Sequence, residues 1–588
     1  MKRSKASLKN NVSTFLKVLK YLKGYLPLFI ISVLLTLAVV ILTLYVPILI
    51  GQAIDLAIGE GNVDMEGIAE ILIKIAMCIG FTAVFQWIIN VLNNRMVYGI
   101  VRNVRYEAFL KLQRFPVSFI DAHQSGDIVN RLIADSDQFS DGLLLGFSQF
   151  FNGILTILGT IVFMFMINVP VTLIVIFVTP LSLFVASFIA KRTFSLFKKQ
   201  SEIRSEQTAL IDEMIGEHKT VVAFGYEKKA EERFDEINGR LQKTSLRAIF
   251  FSSLTNPSTR FVNSLVYAFV AFTGAMICVH YGDETLKVGM LSSFLSYATQ
   301  YTKPFNEISG VVTELQNALA SAERVFDLIE SPAEPTVEKT DVKIDGTEIE
   351  FRNISFSYIP EKPLIEDFSF KADEGKHIAI VGPTGCGKTT LINLLMRFYD
   401  VKEGAITLGG KDIREIERGE LRKKYGMVLQ DTWLCDGTIK ENISYGKTDA
   451  TDEEIIAAAK AAHAHSFIKR LPQGYDTVIG EGGTALSQGQ RQLLCIARIM
   501  LCDPEILILD EATSSIDTRT EIRIQKAFKT AMAGKTAFIV AHRLSTIKDC
   551  DVILVMNDGN IVEQGSHAEL LDKKGFYHKL YNSQFPEA

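Results

Sequence analysis

The sequence predicts a membrane-embedded α-helical domain of six spans fused to a soluble α/β P-loop domain. Three observations carry that expectation. Mean hydropathy is +0.19 over 588 residues, above the usual range of soluble proteins. Long apolar runs crowd the first 325 residues. Beyond a linker, short apolar runs alternate with helical ones, as in an α/β domain, and one opens onto a glycine-rich loop. The expected domains are 1–325, a linker over 326–345, and 346–588.

The first run, "LPLFIISVLLTLAVVILTLYVPILI" at 26–50, exceeds the roughly 20 apolar residues that a helix needs to cross a bilayer. It is too long for a signal peptide, and no small-residue cleavage site follows it. Similar runs lie near 68–92, 143–167, 171–190, 261–281 and 288–312, the last more polar than the rest. Lys and Arg are dense in 1–24, 95–131 and 191–247 and absent from 57–67. Both termini are therefore expected on the cytoplasmic side of a plasma membrane.

The charged stretches 95–140 and 191–250 lack Gly–Pro punctuation for long distances. They read as membrane helices continued into the cytoplasm, broken around Gly216 and Gly225. Most of these charges suit any solvated helix face. Two short elements, near 116–124 and 209–218, are expected to touch the soluble domain. A net charge of −5 gives no nucleic-acid footprint. The seven cysteines are scattered without a CxxC pair, so neither a disulfide framework nor a zinc site is expected.

The chemistry is legible in the second half. "KHIAIVGPTGCGKTTLINLLMRF" reads strand, glycine loop, helix. Gly382, Gly387, Lys388 and Thr389 fit G-x-x-x-x-G-K-[ST]. With Pro383, Thr384, Gly385, Cys386 and Thr390 they form a loop whose N–H groups cradle ATP phosphates. Lys388 reaches the β/γ oxygens and the Thr389 hydroxyl ligates Mg2+. Cys386 needs no role beyond being small. "ILILDEATSSID" is an apolar strand ending in Asp510 and Glu511. Asp510 would hold the magnesium and Glu511 the attacking water. "TAFIVAH" brings His542 to the same edge, where a lone histidine is more often structural.

These motifs, in this order, resemble the ATP-binding cassette (ABC) exporters, in particular half-transporters with a membrane domain ahead of the cassette. The resemblance covers nearly the whole chain. It implies that Tyr358 of "FSY" stacks on adenine and that Gln430 of "MVLQD" meets magnesium and the membrane domain. "LSQGQ", with Ser487, Gln488, Gly489 and Gln490, matches the signature motif, and Asp517 closes the D-loop. It also implies that His542 contacts the γ-phosphate, and that two cassettes pair head-to-tail around two ATPs.

Two positions depart from the family pattern LSGGQ with a preceding "GERG". Gln488 replaces a glycine, adding bulk and restricting φ, and Gly482 stands where an arginine is usual. The expectation is asymmetry: a chain with an intact P-loop, Glu511 and His542 but a degraded signature, working beside a different half-transporter with intact LSGGQ that lacks the catalytic glutamate. Tolerated variation is the plain alternative.

A multidrug-type exporter of amphiphiles is the leading expectation. A lipid flippase or peptide exporter of the same architecture stays open, as does a non-transporting channel or regulator, although the intact ATPase residues weigh against the last. Lys74 inside the second run reads either as a pathway residue or as a snorkelling lysine. Gln86, Trp87, Asn90, Gln300, Lys303, Asn306 and Glu307 line an inner cavity or pack helices together.

Overall fold

The computed structural model describes residues 13–57, 63–178, 180–281, 287–335, 344, 346–429, 432–480, 486–511, 516–541 and 547–584. The chain forms two compact units, Met1–Gln113 with Gln124–Ser331, and Arg114–His123 with Pro332–Ala588.

The first unit is helical: α1 (Leu26–Ala57), α2 (Met65–Leu112), α3 (Phe151–Ile167), α4 (Val169–Val178), α5 (Pro180–Gly216), α6 (Glu227–Ser253), α7 (Thr255–Tyr281) and α8 (Val288–Glu330). Among the described residues, four stretches are long and apolar enough to cross a membrane: Ser13–Ala57, Met65–Leu112, Ser125–Ile167 and Arg260–Val279. The other two expected runs are helical as well. The run at 171–190 is divided between α4 and α5, and the polar run at 288–312 begins α8. The core gathers Val40 and Leu44 with Val266, Val270, Phe294 and Tyr297. Side-chain bonds to main-chain carbonyls tie α8 to α1: Tyr297 donates to Leu44 O, and Ser293 Oγ to Pro47 O at 2.7 Å.

The extended helices run past their apolar segments, α2 to Leu112 and α5 to Gly216. Gly225 holds φ +59, a conformation that only glycine adopts cheaply, in the bend before α6. The short element near 116–124 is the helix Val117–Ala122. The second short helix is His218–Ala223, beginning at the last residue of the interval 209–218 expected from sequence. Residues 209–216 instead continue α5, because Leu210 and Met214 still have Phe234 and Ile237 of α6 to pack against. The division between units falls at Ser331–Pro332, with α8 running to Glu330 where the sequence places linker.

The second unit is an α/β domain with β1 (Ile349–Phe356), β2 (Ile365–Ala372), β3 (His377–Val381), α9 (Lys388–Leu395), β4 (Glu403–Leu408), β5 (Tyr425–Val428), α10 (Gln488–Cys502), β6 (Ile506–Glu511), α11 (Thr518–Met532), β7 (Thr536–Ala541), β8 (Val552–Asn557) and β9 (Asn560–Gly565). Its main sheet has the order β9-β8-β3-β7-β6-β5. All its pairs are parallel except β8 with β9. A parallel sheet is covered on both faces, and the burial shows it. Leu507 and Leu509 of β6 enter one core, Ile506 and Ile508 the other. A second, antiparallel sheet carries β2, β1 and β4 in that order.

Candidate nucleotide site and signature helix

Strand register assembles the site. In β7, Val540 is level with Ile380 of β3 on one side and with Asp510 of β6 on the other. Ala541 is level with Glu511, and Val428 of β5 with Leu509. The glycine loop after Val381, the two acids, and the segments leading to Gln430 and His542 therefore leave the sheet at one edge. That edge, at the carboxyl ends of parallel strands, is where such folds bind ligands.

The loop is shaped for phosphate. Gly385 and Gly387 hold φ +86 and +100, so successive N–H groups turn inward above the N-terminus of α9. Gly382 is required by space: a Cβ there would lie 2.2 Å from Met556 O. Lys388 folds back over the loop, its ammonium donating to the carbonyls of Gly382 at 2.8 Å and Pro383 at 2.9 Å. The ammonium also reaches the Cys386 Sγ at 3.9 Å, and a cation held by neutral groups is a ready partner for an anion. Pro383, Thr384, Gly385 and Thr389 are exposed, whereas Cys386, Gly387 and Thr390 are buried. Burial pushes the Cys386 thiol above its ordinary value, with the Lys388 ammonium opposing. A neutral, buried thiol is a packing residue. Asp510 is buried at 8 % exposure at the strand tip, the donor type and position a magnesium ion needs. The site residues thus fit a magnesium–nucleotide complex.

Tyr358 is half exposed, and its hydroxyl accepts from Asn393 Nδ2 at 3.1 Å. Its ring meets Tyr399 edge-on at 5.0 Å between centroids, and Tyr399 donates in turn to Asp121 of the short helix Val117–Ala122. The sequence reading missed Tyr399. Its only signal was an aromatic residue, in "RFYD", at the end of the P-loop helix. The Glu334 N–H also donates to Arg114 O at 2.8 Å, so the segment Arg114–His123 is fastened to the cassette at both ends.

The signature residues start α10. Ser487 is the N-cap: its hydroxyl accepts from Gln490 N at 3.3 Å, and Gln490 Oε1 accepts from Ser487 N at 2.9 Å, a complete capping box. Gln488 is the first helical residue and half-buried, so its backbone is right-handed helical, which glutamine adopts without strain. The expected restriction on φ does not operate there, and the bulk of its side chain remains. Gly489 is different: a Cβ would meet Thr520 Cγ2 at 2.4 Å and Ile516 Cγ2 at 3.1 Å. Asp517 caps α11, accepting from Thr520 N at 2.9 Å, and that N–H holds its carboxyl below the usual range. Gln430, Gly482 and His542 lie outside the described residues. For Glu511 the structure describes the strand but not the side chain.

An N–H-lined loop, a buried acid at a strand tip and a capped helix N-terminus, on a chain that also holds membrane-length helices, define a membrane-bound nucleotide hydrolase. Comparison with known proteins narrows this. Residues 29–305 match the ABC transporter transmembrane region and residues 365–514 match the ABC transporter family. A fatty acid ABC transporter ATP-binding/permease protein of Mycobacterium bovis is 40% identical over 531 residues, 90% of this chain and 84% of that one. An ATP-dependent lipid A-core flippase of Photorhabdus laumondii is 35% identical over 488 residues, covering 83% and 84%. The solved structure of a bacterial Atm1-family ABC exporter with ATP bound superposes with a TM-score of 0.79 at 28% identity, over 96% of this chain and 99% of that one. The chain belongs to the ABC exporters: it binds ATP and couples ATP hydrolysis to transport across the membrane in which it is embedded.

The membrane candidates are only partly brought together. Gln86 and Gln300 line the same cavities, together with Thr43 and Thr82. Asn90 accepts from Gln86 Nε2 at 3.4 Å, and Trp87 is 68 % exposed. Lys74 pairs with Glu70, one turn away, at 3.0 Å on an exposed face, which favours the snorkelling reading over a pathway residue. The side chains of Asn306 and Glu307 lie outside those described.

Proposed function

We propose that this chain is the catalytically competent half of a heterodimeric exporter of amphiphilic or hydrophobic small molecules. Gly382 to Thr390 hold the phosphates, and Tyr358 stacks on adenine. Thr389, Asp510 and Gln430 hold Mg2+, which supplies charge neutralisation when bound. Glu511 orients the attacking water and His542 contacts the terminal phosphate. Ser487, Gln488, Gly489 and Gln490 face the partner's nucleotide, with Asp517 beside them. The observation carrying the heterodimer is the Gln488 side chain, which stands on the first turn of α10 where the family has none. Nucleotide held between two cassettes favours the closed pair, and that difference in affinity drives the membrane helices. A second half-transporter with intact LSGGQ and no catalytic glutamate completes the competent site.

The names of the relatives, a fatty acid transporter and a lipid A-core flippase, favour lipid as the alternative cargo within the same mechanism. The test is purification of the chain alone and with candidate half-transporters, followed by transport into inverted vesicles. Full ATPase activity and transport by the lone chain would remove the heterodimer. Failure of every amphiphile, lipid or drug to be transported would remove the cargo class.

A further inference from the structure

The membrane unit contains cavities lined by uncharged polar and apolar side chains. Two adjoining cavities, of about 500 and 220 Å3, share Thr43, Thr82, Gln86 and Gln300. The larger is within the size range of small-molecule sites. Its walls are helical stripes at three- and four-residue spacing: Thr43, Val46, Pro47 and Ile50 on α1, and Ile79, Thr82, Ala83 and Gln86 on α2. The smaller opens onto Asn152 and Thr156 of α3.

The polarity is graded. Helices α1 and α2 are consecutive and pack against each other. The apolar members Ile50 and Ile79 stand towards the ends joined by the α1–α2 connection. Gln86 lies further along with Gln300 on α8, where the smaller cavity adds Asn152 and Thr156 beside the apolar Val39, Val40 and Leu44. An amphiphile fits this gradient with its tail towards Ile50 and Ile79.

Two prolines well inside helices stand next to this site. Pro47 of α1 and Pro304 of α8 have no N–H to give the carbonyl four residues earlier. Those carbonyls belong to Thr43 and Gln300, the two residues of α1 and α8 shared by both cavities. Among the described residues, the side chains of Thr43, Thr82, Asn152 and Gln300 have no intramolecular hydrogen bond. None of these four side chains is buried, so their polar atoms are open to a ligand in the cavity. None of the described lining residues is charged. From this chain's described lining, a head group bearing a full charge would gain no counter-ion. A carbonyl that loses its helical donor to a proline accepts and cannot donate, so it pairs with a hydroxyl rather than with a carboxylate or phosphate.

Resting on the amphiphile-export reading above, we infer that this site selects an uncharged head group rich in hydroxyl donors, and that Gln86 and Gln300 are the residues that recognise it. The test uses the assembled transporter in nanodiscs and three labelled probes with twelve-carbon chains, each measured as binding above empty nanodiscs. These are 1-monolauroylglycerol, methyl laurate, which lacks the hydroxyls, and dodecyl phosphate, which is anionic. The expected result is that the glycerol ester binds at least about tenfold more tightly than either of the others, as a site built to hydrogen-bond its ligand does. Gln86→Leu with Gln300→Leu should bring the three affinities within about threefold. Equal or tighter binding of methyl laurate or dodecyl phosphate by the native transporter overturns the head-group assignment and leaves amphiphile export standing. Native discrimination that survives in the double variant overturns the assignment to Gln86 and Gln300. No binding by any of the three overturns both readings. The native comparison decides the head group even if the double variant does not fold.

Discussion

Gly489→Ala tests what the signature helix needs from its glycine. The added Cβ would sit 2.4 Å from Thr520 Cγ2 and 3.1 Å from Ile516 Cγ2, whereas carbon pairs settle at about 3.5–4.0 Å. The first contact is therefore short by about 1 Å. Neither neighbour is a long side chain that can swing aside. Thr520 and Ile516 are β-branched and stiff at χ1, and Thr520 N is already committed to the Asp517 cap at 2.9 Å. Relief must come from separating α10 and α11 or from moving the turn at Ile516. Overpacking of this kind costs about 1–3 kcal/mol, against which the gain in helix propensity from Gly to Ala offsets at most about 1 kcal/mol.

The net loss, about 0–3 kcal/mol, lowers the melting temperature of a domain this size by about 2–4 °C per kcal/mol. The assay is thermal unfolding of the detergent-solubilised full chain, with hydrogen exchange over 516–520 as a local readout. Exchange there should accelerate even if the melting temperature moves little, because the cap donor is displaced. Unchanged exchange across 516–520, with an unchanged melting temperature, would refute the packing argument.

Three further outcomes follow from the same geometry. Glu511→Gln should leave nucleotide affinity within about twofold while lowering hydrolysis by the assembled transporter at least about 100-fold; near-normal turnover would remove Glu511 from its role. Tyr399→Phe removes the donor to Asp121 and should speed hydrogen exchange across Val117–Ala122 without changing exchange in the P-loop; equal protection in both variants would show that the hydroxyl does not fasten that helix. Arg324→Ala strips the partner from Asp135, a buried carboxylate held from Arg324 Nε at 2.8 Å. It should destabilise the membrane unit by about 2–3 kcal/mol, below the 3–5 of a wholly buried pair because Arg324 is half exposed, and a melting curve within 1 °C of native would contradict that.

The sequence was most readable where one physical rule acts alone. Apolar length marked the spans, and strand–loop–helix punctuation marked the P-loop. Gly216 and Gly225 marked the breaks around the short helix His218–Ala223. Legibility failed where two distant segments share the decision. Residues 209–218 read as a separate short element meeting the soluble domain, yet Leu210 and Met214 continue α5 because α6 supplies Phe234 and Ile237. Tyr399 looked like an ordinary end-of-helix aromatic until Tyr358 and Asp121 met it from either side. Packing against α11 shows that a side chain at 489 would press on Thr520 and Ile516, while Gln488 is seated as the first residue of α10.

That distinction sharpens the question of Gln488. A glycine is favoured at a position for one of two reasons, backbone freedom or lack of bulk. As the first residue of α10, position 488 has no use for backbone freedom, so any defect in the partner-facing site must come from the side chain. The consequence is a graded series. In a homodimer, Gln488→Ala and Gln488→Gly should both raise ATPase activity, Ala at least as well as Gly, because Ala is the better helix former by about 1 kcal/mol and still removes the amide. In the heterodimer, both should change turnover much less, since there Gln488 faces the site that lacks a catalytic base. A rescue by Gly alone would return the argument to the backbone and contradict the helical position of 488. No rescue by either, together with a lone chain that already hydrolyses ATP at the full rate, would show that the glutamine is tolerated variation and that the two nucleotide sites are equivalent.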